Sequence, residues 1–286
     1  MSNIISVWGS PCSGKTTIAT KIALNYISLH KRVALICCDN QAPALPVLFP
    51  NWKPDDLFSI GTALAQEEVI DDSIYSNCIT MKKYSNLIVL GYKDAENKFS
   101  YPRLTSYKVV EFIHVLSEIV DYIIFDCCSD LEDIISNTAI QNSDVVLRLH
   151  TPEIKSVSWS TSQLAMYGTT QYKIDDQIVC LNNVTNDIYA PSEEIKSFLK
   201  VKTIELPYSR VLKMQMATGS LFEKQTQKIF AKYFNNLIKE IDDKLQVQNV
   251  TNYQEDSDLS MLDNESEFGV LDDSKSEFGI LDDTKN

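Results

Sequence analysis

Residues Gly9-Ser10-Pro11-Cys12-Ser13-Gly14-Lys15-Thr16 constrain this chain more than any other stretch of its 286 residues. The apolar run Ile4–Trp8 leads into them as a strand, and a helical pattern opens directly at Lys15. A G-x-x-x-x-G-K-T loop between a strand and a helix is built to hold nucleotide phosphates. Successive backbone N–H groups curl around a phosphate, the helix N-terminus adds partial positive charge, and Gly9 and Gly14 permit the turns. A plain glycine-containing βα turn is the competing reading, and it leaves the agreement of motif and context unexplained. On the phosphate reading Lys15 bridges the β- and γ-phosphates of ATP, the Thr16 hydroxyl ligates Mg²⁺, and Thr17 reaches the α-phosphate.

The rest of the chain fits the same frame. Candidate strands are Ile4–Trp8, Val33–Cys38, Leu87–Leu90, Tyr122–Phe125, Val145–Leu149, Gln177–Leu181 and Thr203–Leu206. They alternate with candidate helices Lys15–Leu29, Ser106–Ile119, Leu131–Gln141, Ile154–Met166, Ser192–Leu199 and Phe222 to about Leu245. The pattern predicts an α/β fold: a mostly parallel sheet with helices on both faces, of the P-loop NTPase class. The strands are short, continuous and rich in Val, Ile and Leu, as expected when both faces are covered. Between Asp39 and Pro54, prolines at 43, 46, 50 and 54 predict an irregular insert at the ligand-binding edge of such a sheet. In the last helix Ile229, Phe230, Tyr233, Phe234, Leu237, Ile238 and Ile241 form a stripe that packs on the body. The alternative, a membrane-surface helix, fits less well because the opposite face mixes charge signs.

Two acids emerge from predicted strands on that edge. Asp126 ends the run Asp121-Tyr122-Ile123-Ile124-Phe125-Asp126, where a carboxylate can hold Mg²⁺ directly or through water; a helix cap is the other use of an acid there. Asp39 follows Val33–Cys38 and is placed to position or deprotonate an attacking water, or else it starts a turn with Asn40. Lys15, Asp39 and Asp126 are therefore the candidate catalytic residues, and Thr16 and Asp126 the candidate metal ligands.

Charge divides the chain. Its net charge is −13, and from residue 251 onward eleven acids face only Lys275 and Lys285, so nine of those charges lie in the tail. Residues 1–250 are expected to form the nucleotide-binding domain and 251–286 a disordered acidic tail. The mildly acidic body shows no lysine or arginine run, which argues against direct nucleic-acid binding. Within the tail, Ser266-Glu267-Phe268-Gly269-Val270-Leu271-Asp272-Asp273 recurs as Ser276–Asp283, and a weaker copy occupies 257–264. Such repeats suit short recognition motifs for a protein partner, the alternative being a solvating tail. No segment reaches the apolar length of a membrane span and no secretory signal is visible, so the chain is read as cytoplasmic. Seven cysteines without C-x-x-C spacing are expected to be buried thiols and not zinc ligands.

Gly14-Lys15-Thr16-Thr17, Asp39, Asp126 and Asn182, in this order, resemble the MinD/ParA superfamily of P-loop ATPases, nearest its CpaE or TadZ pilus-assembly branch. The similarity runs from about Ile4 to Leu221. It implies that Asn182, in Leu181-Asn182-Asn183-Val184, reads the adenine edge. It also implies that Pro207-Tyr208 and Ala217-Thr218-Gly219 close over the base, and that ATP favours a homodimer. Three places depart from the family pattern. Ser10 stands where a signature lysine reaches a partner's phosphates, and Cys37 stands for the first acid of an Asp-x-Asp pair. Cys128 and Asp130 replace a proline and a glycine, and a carboxylate at 130 facing the γ-phosphate would repel it. The expectation is ATP binding with slow hydrolysis, in a switch that positions or assembles a larger machine such as a pilus, secretion, conjugation or DNA-partition system. The alternatives are a nucleotide-binding scaffold without significant hydrolysis and a small-molecule P-loop kinase. The kinase would need grouped arginines, and Arg32, Arg103, Arg148 and Arg210 are isolated.

Overall fold

The structure is a computed structural model and describes residues 2–53, 57–130, 132–166, 170–185 and 192–265. Eight strands form one sheet: β1 (Asn3–Gly9), β2 (Val33–Cys37), β3 (Ile79–Met81), β4 (Tyr84–Gly91), β5 (Tyr122–Asp126), β6 (Val145–His150), β7 (Ile178–Val184) and β8 (Thr203–Pro207). Their order is β3-β4-β2-β5-β1-β6-β7-β8, and every neighbouring pair is parallel except β3 with β4. β1 lies in the middle, in register with β5 from Asn3↔Tyr122 to Val7↔Asp126 and with β6 from Ile5↔Val145 to Gly9↔Leu149. This confirms the expected parallel α/β fold and adds one strand. β3 went unseen because Ile79-Thr80-Met81 is too short to show a period, and its turn to β4 carries neither Gly nor Pro.

Among the described residues eight α-helices connect the strands and two follow β8: α1 (Lys15–Ser28), α2 (Leu45–Leu48), α3 (Ile60–Leu64), α4 (Asp71–Tyr75), α5 (Ser106–Ile119), α6 (Ile134–Asn142), α7 (Ile154–Leu164), α8 (Ser192–Leu199), and then α9 (Arg210–Thr218) and α10 (Lys228–Glu265). The strands alternate their side chains between two cores. Ile5 and Val7 of β1 join Ile18 and Ile22 of α1 and Phe230, Leu237 and Ile241 of α10 on one face. Trp8 joins Phe112 and Leu116 of α5 and Ile135 of α6 on the other. Helices thus cover both faces, and the continuous apolar strands are explained.

The proline-rich insert is less irregular than expected. One turn of helix, α2, starts with Leu45 and takes Pro46 in its first turn, where a missing N–H costs nothing. Helix α6 starts at Ile134 and not at Leu131, because Asp133 caps it, accepting from Ser136 N at 2.7 Å. The last helix starts at Lys228 and not at Phe222. Phe222 instead packs its ring beside Phe49 and Tyr84, and its carbonyl accepts from the Tyr84 hydroxyl at 2.6 Å. In the α10 stripe Phe230, Phe234, Leu237, Ile238 and Ile241 are buried, while Ile229 and Tyr233 face outward. This favours packing on the body over a membrane surface.

The chain divides into two compact units, Met1–Leu245 and Gln246–Asn286. The boundary falls where the amphipathic stripe was expected to end, but the helical backbone runs on to Glu265. The two stronger tail repeats, 266–273 and 276–283, lie outside the described residues. Among the described residues no helix is long and apolar enough to cross a membrane.

Candidate phosphate and nucleotide site

The loop from Gly9 to Thr16 leaves the central strand and is locked by its neighbours. Gly9 has φ +139°, and a Cβ there would come within 2.1 Å of the Leu149 carbonyl on β6, so only glycine fits. Ser10 N donates to that same carbonyl at 3.0 Å. Gly14 caps α1 with φ +89°, and a Cβ there would meet Asn182 Nδ2 at 2.6 Å. Cys12 also holds a positive φ of 60° and is the exposed one of the seven cysteines, the other six being buried as expected. Ser13 Oγ is buried and has no hydrogen-bond partner among the described residues.

Above the loop lies a cleft of about 690 Å³. Cys12, Gly14, Lys15, Thr16 and Thr17 line its floor, Asp126 and Asp39 one side, and Asn182, Ser209, Leu212, Lys213 and Met216 the other. The fold therefore brings the three candidate catalytic residues to one place. Lys15 Nζ donates to Ser129 Oγ at 2.6 Å and to the Ser10 carbonyl at 3.4 Å. Ser129 Oγ in turn donates to the Gly9 carbonyl at 2.7 Å, joining the loop after β5 to the P-loop.

Asp126 is 3% exposed. Burial pushes its pKa up to about 7, and the negative charge of Asp39 adds to the rise; a hydrogen bond from Thr16 and the Lys15 ammonium oppose it. The Thr16 hydroxyl and the Asp126 carboxylate both line the cleft, two hard oxygen donors at its phosphate end. That donor set fits Mg²⁺, which takes one or two protein oxygens beside phosphate and water. Asp39 is half-buried, and its Oδ1 accepts from Gln41 N at 2.8 Å and Ala42 N at 2.9 Å. The turn-forming use of Asp39 is therefore real, and it coexists with a place on the cleft.

Asn182 is 5% exposed, and its amide donates to the Ser13 carbonyl at 2.8 Å. Here that side chain braces the P-loop from above. Pro207 ends β8 beside Val184 and is not among the residues lining the cleft; Ser209, two positions on, is. Three of the sequence departures acquire a physical meaning. Ser10 is buried, and its Oγ accepts from Ser156 Oγ at 2.8 Å, which also lies 3.1 Å from His150 Nδ1. The place of the signature lysine is thus an anchor to α7 and does not open on the cleft. Cys37 is buried in the core below, where its thiol pKa is raised well above the usual value, chiefly by burial. Asp130 does not face the phosphate end as feared. It accepts from Gln41 Nε2 at 2.9 Å and lines a separate cavity of about 800 Å³ with Tyr92, Tyr101 and Arg103. The reason is local: Asp130 Oδ1 also accepts from Glu132 N, which turns its carboxylate into the loop after β5. Ser129, Gln41 and Ser156 are contributors that sequence reasoning missed, since a lone Ser or Gln in a loop carries no pattern.

A family model described as AAA domain matches residues 4–186. No curated protein matches the chain. Among solved structures, the septum site-determining protein MinD of Pyrococcus horikoshii OT3, solved with Mg-ADP, aligns with 17% identity and a TM-score of 0.63 over 85% of this chain and 99% of that one. A plasmid partition protein of Borrelia burgdorferi B31 bound to AMPPNP aligns with 18% identity and a TM-score of 0.61 over 88% and 100%. A ParA family ATPase of Chlorobium tepidum TLS aligns with 14% identity and a TM-score of 0.66 over 83% and 98%. At such identities the likeness speaks for the fold, and the family model speaks for descent. With more than half its length matched and a P-loop set on the central strand, the chain belongs to the AAA domain family and shares the fold of the MinD and ParA ATPases.

Proposed function

We propose that this protein binds ATP with Mg²⁺ on Gly9–Thr17 and hydrolyses it slowly, as a nucleotide-dependent switch that positions or assembles a larger machine. The observation that carries the reading is the convergence of Lys15, Thr16, Asp126 and Asp39 on one cleft above a braced P-loop. The backbone N–H groups of Cys12 and of Gly14 to Thr16 would hold the phosphates. Lys15 would exchange Ser129 Oγ for β- and γ-phosphate oxygens, and Thr17 would lie by the α-phosphate. Thr16 and Asp126 would hold Mg²⁺, whose charge supplies electrostatic stabilisation to the transferring phosphoryl group. Asp39 would place the attacking water through the carboxylate oxygen not engaged in its own turn.

Slow turnover follows from what surrounds these groups. Ser10 supplies no cation, and a missing cation at the phosphoryl group can lower the rate by ~10³-fold. The positioning role rests on likeness to proteins whose names are septum site-determining and plasmid partition. Within it, the pilus-assembly branch, an ATP-dependent homodimer, a partner held by the tail repeats and a cytoplasmic location all belong to this proposal. The nucleotide-binding scaffold without hydrolysis is the second reading, and the engagement of Asp39 with Gln41 and Ala42 favours it. A kinase is disfavoured because none of the four arginines lines the cleft. Steady-state phosphate release from wild type against Asp39→Ala and Asp126→Asn is the test. Turnover above both variants supports the ATPase; identical rates leave the scaffold.

A further inference from the structure

The wall of the cleft on the α9 side, with the insert after β2, is apolar where it matters: Leu212 and Met216 from α9 and Pro46 and Val47 from α2. Such a wall suits the flat face of a nucleoside base. Beside the apolar packing of Leu212 and Leu221 in the same core as Ile18 and Ile22, one polar side chain ties this wall to the P-loop helix. Lys21 lies on α1, on the helix that Gly14 caps, and is 5% exposed. Its ammonium donates to Gln215 Oε1 of α9 at 2.9 Å, to the Glu223 carbonyl at 2.8 Å and to the Leu221 carbonyl. An ammonium has three donors, and all three are taken by α9 and the segment after it. Gln215 also donates from Nε2 to the Lys224 carbonyl at 3.2 Å. Gly219, which ends α9 with φ +66°, sits so close to the insert that a Cβ there would come within 2.2 Å of Pro50 Cγ. The contact draws the loop after β2 against the same helix.

A buried ammonium is costly, and a well-packed apolar side chain of similar volume often gives equal or greater stability. Packing alone therefore does not explain a lysine here; three fixed acceptors do, because they set one position for α9. We propose that Lys21 is a positioning residue for the nucleoside side of the cleft: it clamps α9 to the P-loop helix and so holds the base wall at its working distance. The inference rests on the nucleotide reading of the cleft given above. Lys21 does not line the cleft, and its partners lie on the base side and not on the P-loop, so the two halves of a nucleotide are expected to respond differently to its loss.

The experiment compares full-length wild type, Lys21→Met and Gln215→Met in calorimetric titrations with Mg²⁺ and either ATP or inorganic tripolyphosphate, with a thermal melt of each unliganded protein. Lys21→Met is expected to bind tripolyphosphate within about twofold of wild type and ATP about tenfold more weakly, the size of a lost charge-assisted contact. Gln215→Met, which leaves Lys21 two of its acceptors, is expected to show a smaller loss in the same direction and decides the matter if Lys21→Met does not fold. Equal losses for both ligands, or an unchanged preference for ATP over tripolyphosphate, overturn the inference. A wild type that binds neither ligand removes the nucleotide reading itself, and the inference with it.

Discussion

The floor of the cleft and its acidic side are held in place by different means. On the floor, Gly9, Gly14, the Leu149 carbonyl and the Asn182 amide fix backbone, and the functional N–H groups have no other geometry open to them. On the acidic side, function and structure compete for the same side chains: Asp39 closes its own turn, Gln41 holds Asp130, and Ser129 holds Lys15. Most of the binding surface is thus built into the rigid backbone of the fold, whereas chemistry on the γ-phosphate depends on side chains that already serve other partners. Binding is expected to tolerate changes on the acidic side that hydrolysis does not.

The sharpest way to break this contrast is Lys15→Ala. Among the described residues its half-buried side chain hydrogen-bonds Ser10 and Ser129 and holds no part of the apolar core, so the fold is expected to survive while ATP affinity falls by about 100-fold, as for a lost charge-assisted pair of hydrogen bonds. Titration with a fluorescent ATP analogue measures it, and unchanged affinity would remove the floor from the site.

Asp126→Asn is expected to lower phosphate release by about 100-fold, since several kcal/mol of charge stabilisation depend on the metal it holds. The same change should raise the melting temperature of the unliganded protein. The folded-state pKa of Asp126 is raised from 3.8 to about 7, so its contribution favours the fold at low pH and is lost as pH rises through about 7. Melts in the absence of divalent cations should show this loss in wild type as pH rises from about 4 to about 7, with little further change above that, and a flatter profile in Asp126→Asn.

Ser10→Lys sharpens the contrast from the other direction. By family analogy a lysine at 10 would reach a partner's phosphates, but Ser10 is 1% exposed and bonded to Ser156. The expected result is a loss of about 1–3 kcal/mol in chemical denaturation, without ATP-dependent dimerisation in light scattering. A stable variant that dimerises with a non-hydrolysable analogue would show that the loop can turn this residue outward.

The smallest effect is expected from Asn182→Ala, which removes the brace on Ser13. A single neutral hydrogen bond contributes about 1 kcal/mol, so ATP affinity should fall by only about fivefold, with tripolyphosphate affected equally. A loss confined to ATP would mean that Asn182 contacts the base after all.

Much of this was legible in the residues themselves. The P-loop could be read because its chemistry demands particular residue types at fixed spacing, and Asp126 because an acid at the end of an apolar run is conspicuous. The parallel sheet could be read because strands covered on both faces leave unbroken Val/Ile/Leu runs. What stayed hidden depends on side-chain direction. Nothing in the string separates a Ser10 that faces the cleft from one that faces α7, or an Asp130 aimed at a phosphate from one folded back on Glu132. Lys21 was equally silent, since a lysine within a helix reads as solvent-exposed until its acceptors, some two hundred positions later, are brought to it. The strand β3 and the turn α2 were too short to carry a period.

The register of β1 also sets a timetable. Its partners are β5 and β6, so residues 3–9 find their first hydrogen-bonded neighbour in the sheet only when the ribosome has released the chain beyond Asp126, and their second only beyond His150. The brace on Gly14 waits longer, for Asn182. Pairings of such sequence separation are slow to close, and a chain cut short before β6 would leave an apolar first strand and α1 without their core. Nascent fragments of this protein should therefore be targets for chaperones until about two-thirds of the body has been made, and nucleotide can assist only the last stage of folding.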